Sequence, residues 1–232
     1  MNVVVLISAD AEWRAFRQLL QVGEIELTPF GECFRHDLII QDREYNLILM
    51  QGGWGKIAAA ASIQYAIDHW RPKMLVNLGT CGGIAGEIER GEIVLADRTL
   101  VYDIFEQMGD PESHIAYYST KIDLAWLEKP YPTKVRRGLL ISGDRDLAPD
   151  EIKELKRRYG AIAGDWESGS IAFVAQRNDT PCLILRGVSD IVSEQGGEAY
   201  GDVSVFEESA KEIMEELLNL LPEWIEKSTP VN

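Results

Sequence analysis

Short β-branched runs alternate with helical patterns along the chain, and this alternation constrains the fold more than any other feature. Residues 3–7 and 74–78 are apolar runs typical of strands buried on both faces. Between them, residues 57–70 form an alanine-rich helical pattern that Pro72 ends. Residues 203–226 form a long amphipathic helical pattern. The alternation predicts a three-layer α/β fold with a mainly parallel sheet.

The remaining pattern completes one domain. Further strands are predicted within 37–50 (two strands around a polar turn) and at 93–96, 135–141, 161–164 and 182–188, with further helices at 10–20, 149–159 and 168–177. Residues 104–133 are irregular and aromatic, and we interpret them as an excursion from the sheet. We therefore predict a single domain over residues 1–226, followed by a loose tail at 227–232.

Charge and cysteine content argue against several function classes. The 232 residues carry a formal net charge of −15, which disfavours binding to nucleic acid or to an anionic membrane. Three cysteines, far apart and without a CxxC motif, suggest neither a disulfide framework nor a zinc site. The first residues lack the basic start of a signal peptide, and no apolar run approaches the ~20 residues of a spanning helix. We expect a cytoplasmic protein.

Polar residues gather where the predicted strands end. Ligands of open α/β sheets bind beyond the carboxyl ends of the strands, so these residues should meet at one rim. The segments concerned are SADAE after the first strand, GTCGG at 79–83, SGD at 142–144, DWE at 165–167 and RGVSD at 186–190. Four acidic groups, several hydroxyls and an arginine at one edge predict a ligand site.

Each of these segments also has a simpler structural interpretation. Glu12 could favour a helix N-terminus, and Asp165 could cap the helix that follows it. GTCGG could be only a tight turn. Asp190 could form a structural ion pair with Arg186. The coincidence of five such segments at one edge favours the ligand site.

The same segments resemble a known family. VLISADAEW, GGWGKIAAAAS, NLGTCGGIAGEIERGEIV, LLISGDRDL, GDWESGSIA and LRGVSDIV are similar, in order and spacing, to segments of the nucleoside phosphorylase and nucleosidase superfamily. Within it, the match is closest to the methylthioadenosine/S-adenosylhomocysteine nucleosidases. The resemblance implies an α/β/α sandwich whose central mixed sheet is partly barrel-like.

The resemblance also implies catalytic roles for widely separated residues. Asp190 would be the general acid that protonates the leaving purine nitrogen, and Ser189 would steady its side chain. Glu12 would hold and activate the attacking water, with Thr80 and Arg186 nearby. An acid-rich cavity suits this reaction because negative charge stabilises an oxocarbenium-like sugar.

Substrate contacts follow from the same resemblance. Glu167 would grip the ribose 2′- and 3′-hydroxyls, since a carboxylate accepts both protons. Trp166, where the family pattern has a methionine, would lie along the sugar or base, and Trp54 would wall the pocket. Asp146 and Leu147 occupy the loop in which the family carries a base-stacking aromatic residue. A carboxylate there could prefer a base that presents amino or imino donors.

The expected activity is hydrolysis of the N-glycosidic bond of a purine nucleoside, releasing free base and sugar. Three alternatives remain open: a phosphate-dependent phosphorylase, a futalosine-type hydrolase, and a nucleoside-binding domain without turnover. Two carboxylates in SADAEWR would repel phosphate, which favours hydrolysis. Water and carboxylates suffice for this chemistry, so neither a metal nor an organic cofactor is expected. The resemblance implies a homodimer, to which residues 104–133 could contribute contacts.

Overall fold

In the computed structural model, described for residues 1–20 and 23–228, the chain forms one mixed sheet between helices. The strands are β1 (Asn2–Ile7), β2 (Ile25–Thr28), β3 (Gly31–Ile40), β4 (Arg43–Gln51), β5 (Met74–Ile84), β6 (Ile93–Val101), β7 (Ser119–Lys121), β8 (Val135–Ser142), β9 (Ala161–Asp165), β10 (Cys182–Ser193) and β11 (Gly196–Gly197). The helices are α1 (Asp10–Leu19), α2 (Gly55–Trp70), α3 (Pro111–Tyr117), α4 (Ile152–Glu154), α5 (Ser168–Arg177) and α6 (Val203–Glu226). A 3₁₀ turn (Pro149–Glu151) precedes α4 and a π-helical turn (Leu155–Tyr159) follows it, so the predicted helix at 149–159 is helical throughout.

The sheet closes on itself around five strands. Its order is β11-β10-β6-β8-β9-β5-β1-β4-β3-β2, and β10 also pairs in parallel with β5. The strands β10, β6, β8, β9 and β5 therefore form a closed ring, and we call them the ring strands. β1 pairs in parallel with both β4 and β5, whereas β10 and β6 are antiparallel. The sheet is therefore mixed and partly barrel-like, as the resemblance implies, rather than mainly parallel.

Helices cover the sheet in two layers. α1 packs against α6, and α2 packs against α5, which gives the predicted three-layer sandwich. Residues Val3–Ile7 of β1 are completely buried, as expected for a strand covered on both faces. Leu217 and Trp224 bring the apolar stripe of α6 into the same core. No helix in the described ranges is long and apolar enough to cross a membrane.

Three expectations need correction. The segment GTCGG is not a turn, because β5 continues through it to Ile84. Residues 104–133 are less irregular than expected, since they contain α3 and β7. The tail predicted at 227–232 begins with packed residues: Ser228 is buried and forms a β-bridge with Leu127. Residues 229–232 lie outside the described part of the chain.

The two glycines at 82 and 83 explain why β5 does not turn at GTCGG. At Gly83, an added Cβ would lie 2.7 Å from a side-chain carbon of Val188 on β10. At Gly82, β5 pairs with Gly164 of β9 while its other edge pairs with β10. Glycine is required at position 83 because side chains of β10 approach closely where the sheet closes, not because the backbone reverses, whereas a Cβ at Gly82 would make only ordinary contacts of 3.6 Å or more.

Candidate active site

A cavity of about 580 Å³ opens at the carboxyl ends of β1, β8 and β9 and beside residues 80–82 of β5 and the bulge of β10. It is lined by all of the predicted site residues except Arg186: Glu12, Trp54, Thr80, Asp146, Leu147, Trp166, Glu167, Ser189 and Asp190. Arg186 is buried behind the residues that line the cavity and is 1 % exposed. Four of the five polar segments therefore meet at one cavity, as predicted, although GTCGG and RGVSD lie inside β5 and β10 rather than at strand ends. After β8, the cavity is lined by residues 145–147 and not by SGD itself.

Glu12 is fixed by a gap in the sheet. Along one edge of β5, pairing with β1 ends at Leu78 and pairing with β9 begins at Gly82. Thr80 lies in this gap, and the Glu12 carboxylate accepts both its N–H at 2.6 Å and its hydroxyl at 2.7 Å. The second carboxylate oxygen accepts the N–H of Ala9 at 3.3 Å. Glu12 thus supports the start of α1 and also lines the cavity, so the two interpretations of this residue are compatible.

Four buried charged residues behind and along the cavity, Glu12, Asp165, Glu167 and Arg186, form a group that we call the polar wall. Arg186 is its positive centre. Its Nε lies 2.9 Å from Asp165 Oδ2, and its Nη2 lies 3.7 Å from Glu167 Oε2. It also donates hydrogen bonds to Asn77 at 2.8 Å and Ser168 at 3.0 Å. These partners rule out the structural Arg186–Asp190 ion pair considered from the sequence. A buried guanidinium with this many acceptors can offset the charge of neighbouring acids.

Gly79 allows Glu12 and Arg186 to lie next to each other. A Cβ at this position would be 1.9 Å from Arg186 Nη1 and 2.9 Å from a Glu12 carboxylate oxygen. No side chain can be accommodated at that distance, so glycine is required at position 79, the first glycine of GTCGG, where Glu12 and Arg186 meet.

Asp165 binds the start of α5, as one interpretation of the sequence suggested, and it also contacts Arg186. It accepts the N–H of Ser168 at the start of α5 at 3.2 Å, and it accepts the Ser142 hydroxyl at 2.5 Å. It also forms the closest ion pair of Arg186. Asp165 therefore caps a helix and neutralises the arginine that stands behind Glu167.

Glu167 is a buried carboxyl with several charged neighbours. Burial raises its pKa to about 8; Asp165 and Glu12 add to the rise, while Arg186 opposes it. The N–H of Gly55, the first residue of α2, also lowers the pKa by donating to Glu167 Oε1 at 3.1 Å. One oxygen is therefore held by a helix N-terminus.

Asp190 owes its position to a bulge in β10. The register with β5 shifts between Val188 and Asp190, which leaves Ser189 as the extra residue and re-aims the side chains. The Ser189 hydroxyl lies 2.7 Å from Asp190 Oδ1, to which it donates. Burial raises the pKa of Asp190; the hydrogen bond from Ser189 opposes the rise, and the nearby Glu198 and Asp146 add to it, so that the pKa is raised overall. The carboxyl is thus kept protonated to a higher pH than an exposed one.

The loop after β8 and the segment before α6 form one end of the cavity. Arg145 belongs to the lining, and its guanidinium stacks over Tyr102 at 5.1 Å and pairs with Glu151 at 2.5 Å. Asp146 lines the cavity, and no hydrogen bond to its side chain occurs among the described residues. Tyr200 donates from its hydroxyl to the Leu147 carbonyl at 2.6 Å.

The mouth of the cavity is largely apolar. Trp54 is 62 % exposed and Trp166 is 36 % exposed, and both contribute to the lining. Val203 and Phe206, from the first turns of α6, complete this rim. Within the described residues, no group of three or more histidine, cysteine or acidic side chains is arranged to hold a metal ion.

Three contributors were missed from the sequence. Asn77 and Ser168 bind Arg186, and Tyr200 lines the cavity. Tyr200 lies between glycines in GGEAYGD, a pattern that could have suggested a shaped loop near a ligand. Asn77 had a weaker signal, a polar residue inside an apolar strand, which indicates a buried hydrogen-bonding partner.

Comparison with known proteins agrees with this architecture. The family profile described as Phosphorylase superfamily matches residues 3–225, so the chain belongs to the phosphorylase superfamily. It is 30 % identical over 174 residues to the 5′-methylthioadenosine/S-adenosylhomocysteine nucleosidase of Haemophilus influenzae, covering 70 % of this chain and 73 % of the relative. The protein of the same name from Oceanobacillus iheyensis is 26 % identical over 211 residues, covering 86 % and 90 %. Within the superfamily, the chain's place is among these nucleosidases.

A solved structure shows the same fold. The S-adenosylhomocysteine nucleosidase of Streptococcus pyogenes, crystallised with 5-methylthiotubericidin, superimposes with a TM-score of 0.76 at 20 % identity. The match covers 97 % of this chain and 96 % of that one. The mixed sheet and its flanking helices are thus shared over almost the entire length.

Proposed function

We propose that this protein hydrolyses the N-glycosidic bond of a purine nucleoside of the methylthioadenosine/S-adenosylhomocysteine type, releasing the free base and the sugar. The observation that carries this assignment is the convergence of Glu12, Glu167 and Asp190 on one cavity, although they lie far apart along the chain. The activity of the nucleosidase relatives supports the same reaction.

Asp190 acts as the proton donor to the leaving base. A general acid must hold a proton near neutral pH, and burial supports this by raising the pKa of Asp190. Ser189 fixes the orientation of the carboxyl through their hydrogen bond. Because the acid form is required, cleavage should decline as the pH rises through this pKa.

Glu12 and Glu167 handle the water and the sugar. Glu12 is held rigidly by Thr80, so it can accept a proton from a water aimed at the anomeric carbon. Glu167 keeps one oxygen on Gly55 and can accept from the ribose hydroxyls. Hydrogen bonds from the diol favour the ionised carboxylate, so KM should fall as the pH rises towards 8. Both charges stabilise the oxocarbenium-like sugar.

Hydrolysis is favoured over phosphorolysis by the charge of the cavity wall. Arg145 is the only basic residue among those that line the cavity, and its guanidinium is engaged with Glu151 and Tyr102. Arg186 is occupied by Asp165, Glu167 and neutral acceptors. A phosphate ion would therefore meet Glu12 without a free cation to offset the repulsion.

The base-binding end supports a purine that carries an amino donor. Asp146 presents a carboxylate, which only accepts hydrogen bonds when ionised, and it lies near the proton donor Asp190. The Leu147 carbonyl is already occupied by Tyr200. The 6-substituent and N7 share one edge of a purine, so an amino group there would donate to Asp146, whereas an oxo group would be repelled. This supports an adenine-type base over the 6-oxopurine of a futalosine-type substrate.

We also propose that the protein acts as a homodimer in the cytoplasm. Exposed apolar residues occur on neighbouring segments: Trp54, which lines the cavity, and Ile57 at the start of α2, and Phe105 after β6. Lys56 links the two segments by its ion pair with Asp103. An apolar patch of this kind is typical of a protein interface. Analytical ultracentrifugation of the wild type and of Ile57→Asp tests the assembly, and a monomeric wild type would contradict it.

A substrate panel tests the activity. Methylthioadenosine, adenosylhomocysteine, inosine and futalosine are incubated with purified protein, with and without inorganic phosphate, and free base is quantified. We expect release from the two adenine nucleosides, independent of phosphate. Strict phosphate dependence would establish phosphorolysis instead, and tight binding by calorimetry with no base released over hours would identify a domain without turnover.

A further inference from the structure

The start of α2 is held to two strand ends by charged residues that lie outside the proposed catalytic and substrate-binding set. The Asp144 carboxylate, just after β8, accepts the N–H of Lys56 at 2.7 Å. The Lys56 ammonium forms an ion pair with Asp103, just after β6, and lies 3.6 Å from Asp144 Oδ2. Asp103 in turn accepts the N–H of Asp144 at 2.9 Å. We refer to Lys56, Asp103 and Asp144 as the α2 clamp.

The clamp lies one residue from a contact made by the ribose-binding carboxylate. Gly55, next to Lys56, donates its N–H to Glu167 Oε1. Gly55 has φ of +78°, a conformation that favours glycine, and a Cβ there would lie 2.8 Å from Asp144 Oδ1. The clamp and the Gly55–Glu167 hydrogen bond therefore depend on the same short turn.

We propose that the α2 clamp positions Glu167 for the ribose diol by holding the Gly55 N–H in place. This rests on the function proposed for Glu167. Lys56 is a positioning residue: it does not line the cavity, and it acts through the backbone of its neighbour. If the turn moves, Glu167 loses the donor that orients one oxygen, and the other oxygen alone cannot keep the bidentate geometry.

The Lys56–Asp103 ion pair of the clamp is partly buried, which strengthens it relative to an ion pair on the surface. The side chains of Lys56 and Asp103 are 19 % and 12 % exposed, so the pair is partly shielded from solvent and screened less than a surface pair. Two acids on one lysine leave the cluster with a residual negative charge, which the N-terminal end of α2 offsets. Removing Lys56 would leave two acids facing each other across the turn.

Substrate hydroxyls provide the decisive test. We compare kcat/KM of wild type and Lys56→Met on a cleaved riboside and on its 2′,3′-dideoxy analogue, whose bond is chemically more labile and therefore still measurable. The variant should raise KM for the riboside about tenfold, the factor expected for one hydrogen bond to a charged group. For the dideoxy analogue the penalty should fall below about twofold, because no diol is present. Equal penalties on both substrates would overturn the proposal.

Further variants separate this effect from instability. Lys56→Arg keeps the charge and should restore most of the riboside affinity. Asp144→Ala removes the acceptor of the Lys56 N–H and should show the same dependence on the hydroxyls, which keeps the test valid if Lys56→Met does not fold. Lys153→Met, on an exposed position of α4, is the matched control. A wild type that releases no base refutes the proposed function, whereas an active wild type with hydroxyl-independent penalties refutes only the clamp.

The pH profile gives an independent readout. The groups that face Glu167 are Arg186, Asp165, Glu12 and the Gly55 N–H, and the last of these lowers its pKa. Loosening the clamp weakens that donation, so the pH at which riboside KM falls should move upwards in Lys56→Met. An unchanged KM–pH profile would contradict the proposal.

Discussion

Replacing Arg186 by methionine tests the charge balance of the polar wall. Methionine fills much of the same volume but leaves Asp165, 2.9 Å from the lost guanidinium, without its cation. The side chains of Asp165 and Glu167 are only 3 % and 10 % exposed, so water cannot compensate. Removing one partner of a buried ion pair costs about 3–5 kcal/mol. We expect a loss of this size in the free energy of unfolding near pH 8.

The loss should depend on pH in a defined direction. In the wild type, the folded-state pKa of Glu167 lies above its ordinary value of 4.5, at about 8, so the folded state binds more protons than the unfolded state between these values. Stability contributed by this group is therefore present below pH 4.5 and is lost as the pH rises towards 8. Without Arg186, which lowers the pKa, the pKa of Glu167 rises further, so the loss continues to a higher pH and its total grows by up to about 1.4 kcal/mol for each additional pKa unit.

Urea unfolding at about pH 5.5 and about pH 8.5 measures both effects. The variant should be destabilised more at the higher pH, and the double variant Arg186→Met with Asp165→Asn should recover part of the loss by removing the unpaired acid. Arg43→Met, at an exposed position on β4, is the control for loss of one positive charge. A loss under about 1 kcal/mol at the higher pH, or equal losses at the two pH values, would refute the proposed role of Arg186 in balancing the charge of the polar wall.

Other changes have direct expected outcomes. Asp190→Asn should lower kcat by about 10²- to 10⁴-fold without weakening ligand binding, and unchanged turnover would remove Asp190 as the proton donor. Glu167→Gln should raise KM and lower kcat, because a neutral amide accepts less strongly than a carboxylate, and steady-state kinetics on the cleaved riboside show whether both change. Leu217→Ala should reduce stability by about 2–5 kcal/mol in urea unfolding, since Leu217 is completely buried, and a change below about 1 kcal/mol would show that α6 repacks.

Periodicity and chain order predicted the three layers and the gathering of polar segments at one rim, and the family resemblance implied the roles of individual residues there. The β-branched run of β1 and the stripe of α6 each reflect burial of one element, which a local pattern records. Parallel pairings bring the ends of β1 and β9, and with them Glu12 and Glu167, to one edge of the sheet, whereas Asp190 reaches the same cavity from a bulge inside β10. These features depend on local sequence and on general rules of sheet topology.

Contacts set by closure of the sheet were not predictable in the same way. Gly79 and Gly83 had the local signature of a turn, yet they occur inside β5 because Arg186 and Val188 approach from a strand that is distant in sequence. From the sequence, Asp190, four residues away, was the one ion-pair partner considered for Arg186, whereas the folded chain supplies Asp165. Such choices depend on the three-dimensional approach of β10 to β5, which no local pattern encodes.

Some residues of the cavity belong to the ring strands and others to connecting loops, and this difference affects how the substrate range of such a protein can change during evolution. The groups proposed for water and sugar are tied to β5, β9 and β10, whose geometry is fixed by strands on both sides. Asp146 and Tyr200 belong to connecting segments that can accept replacement without disturbing those strands. Selection could therefore retune which nucleobase is accepted while bond cleavage persists, so a lineage can acquire new substrates without passing through an inactive ancestor.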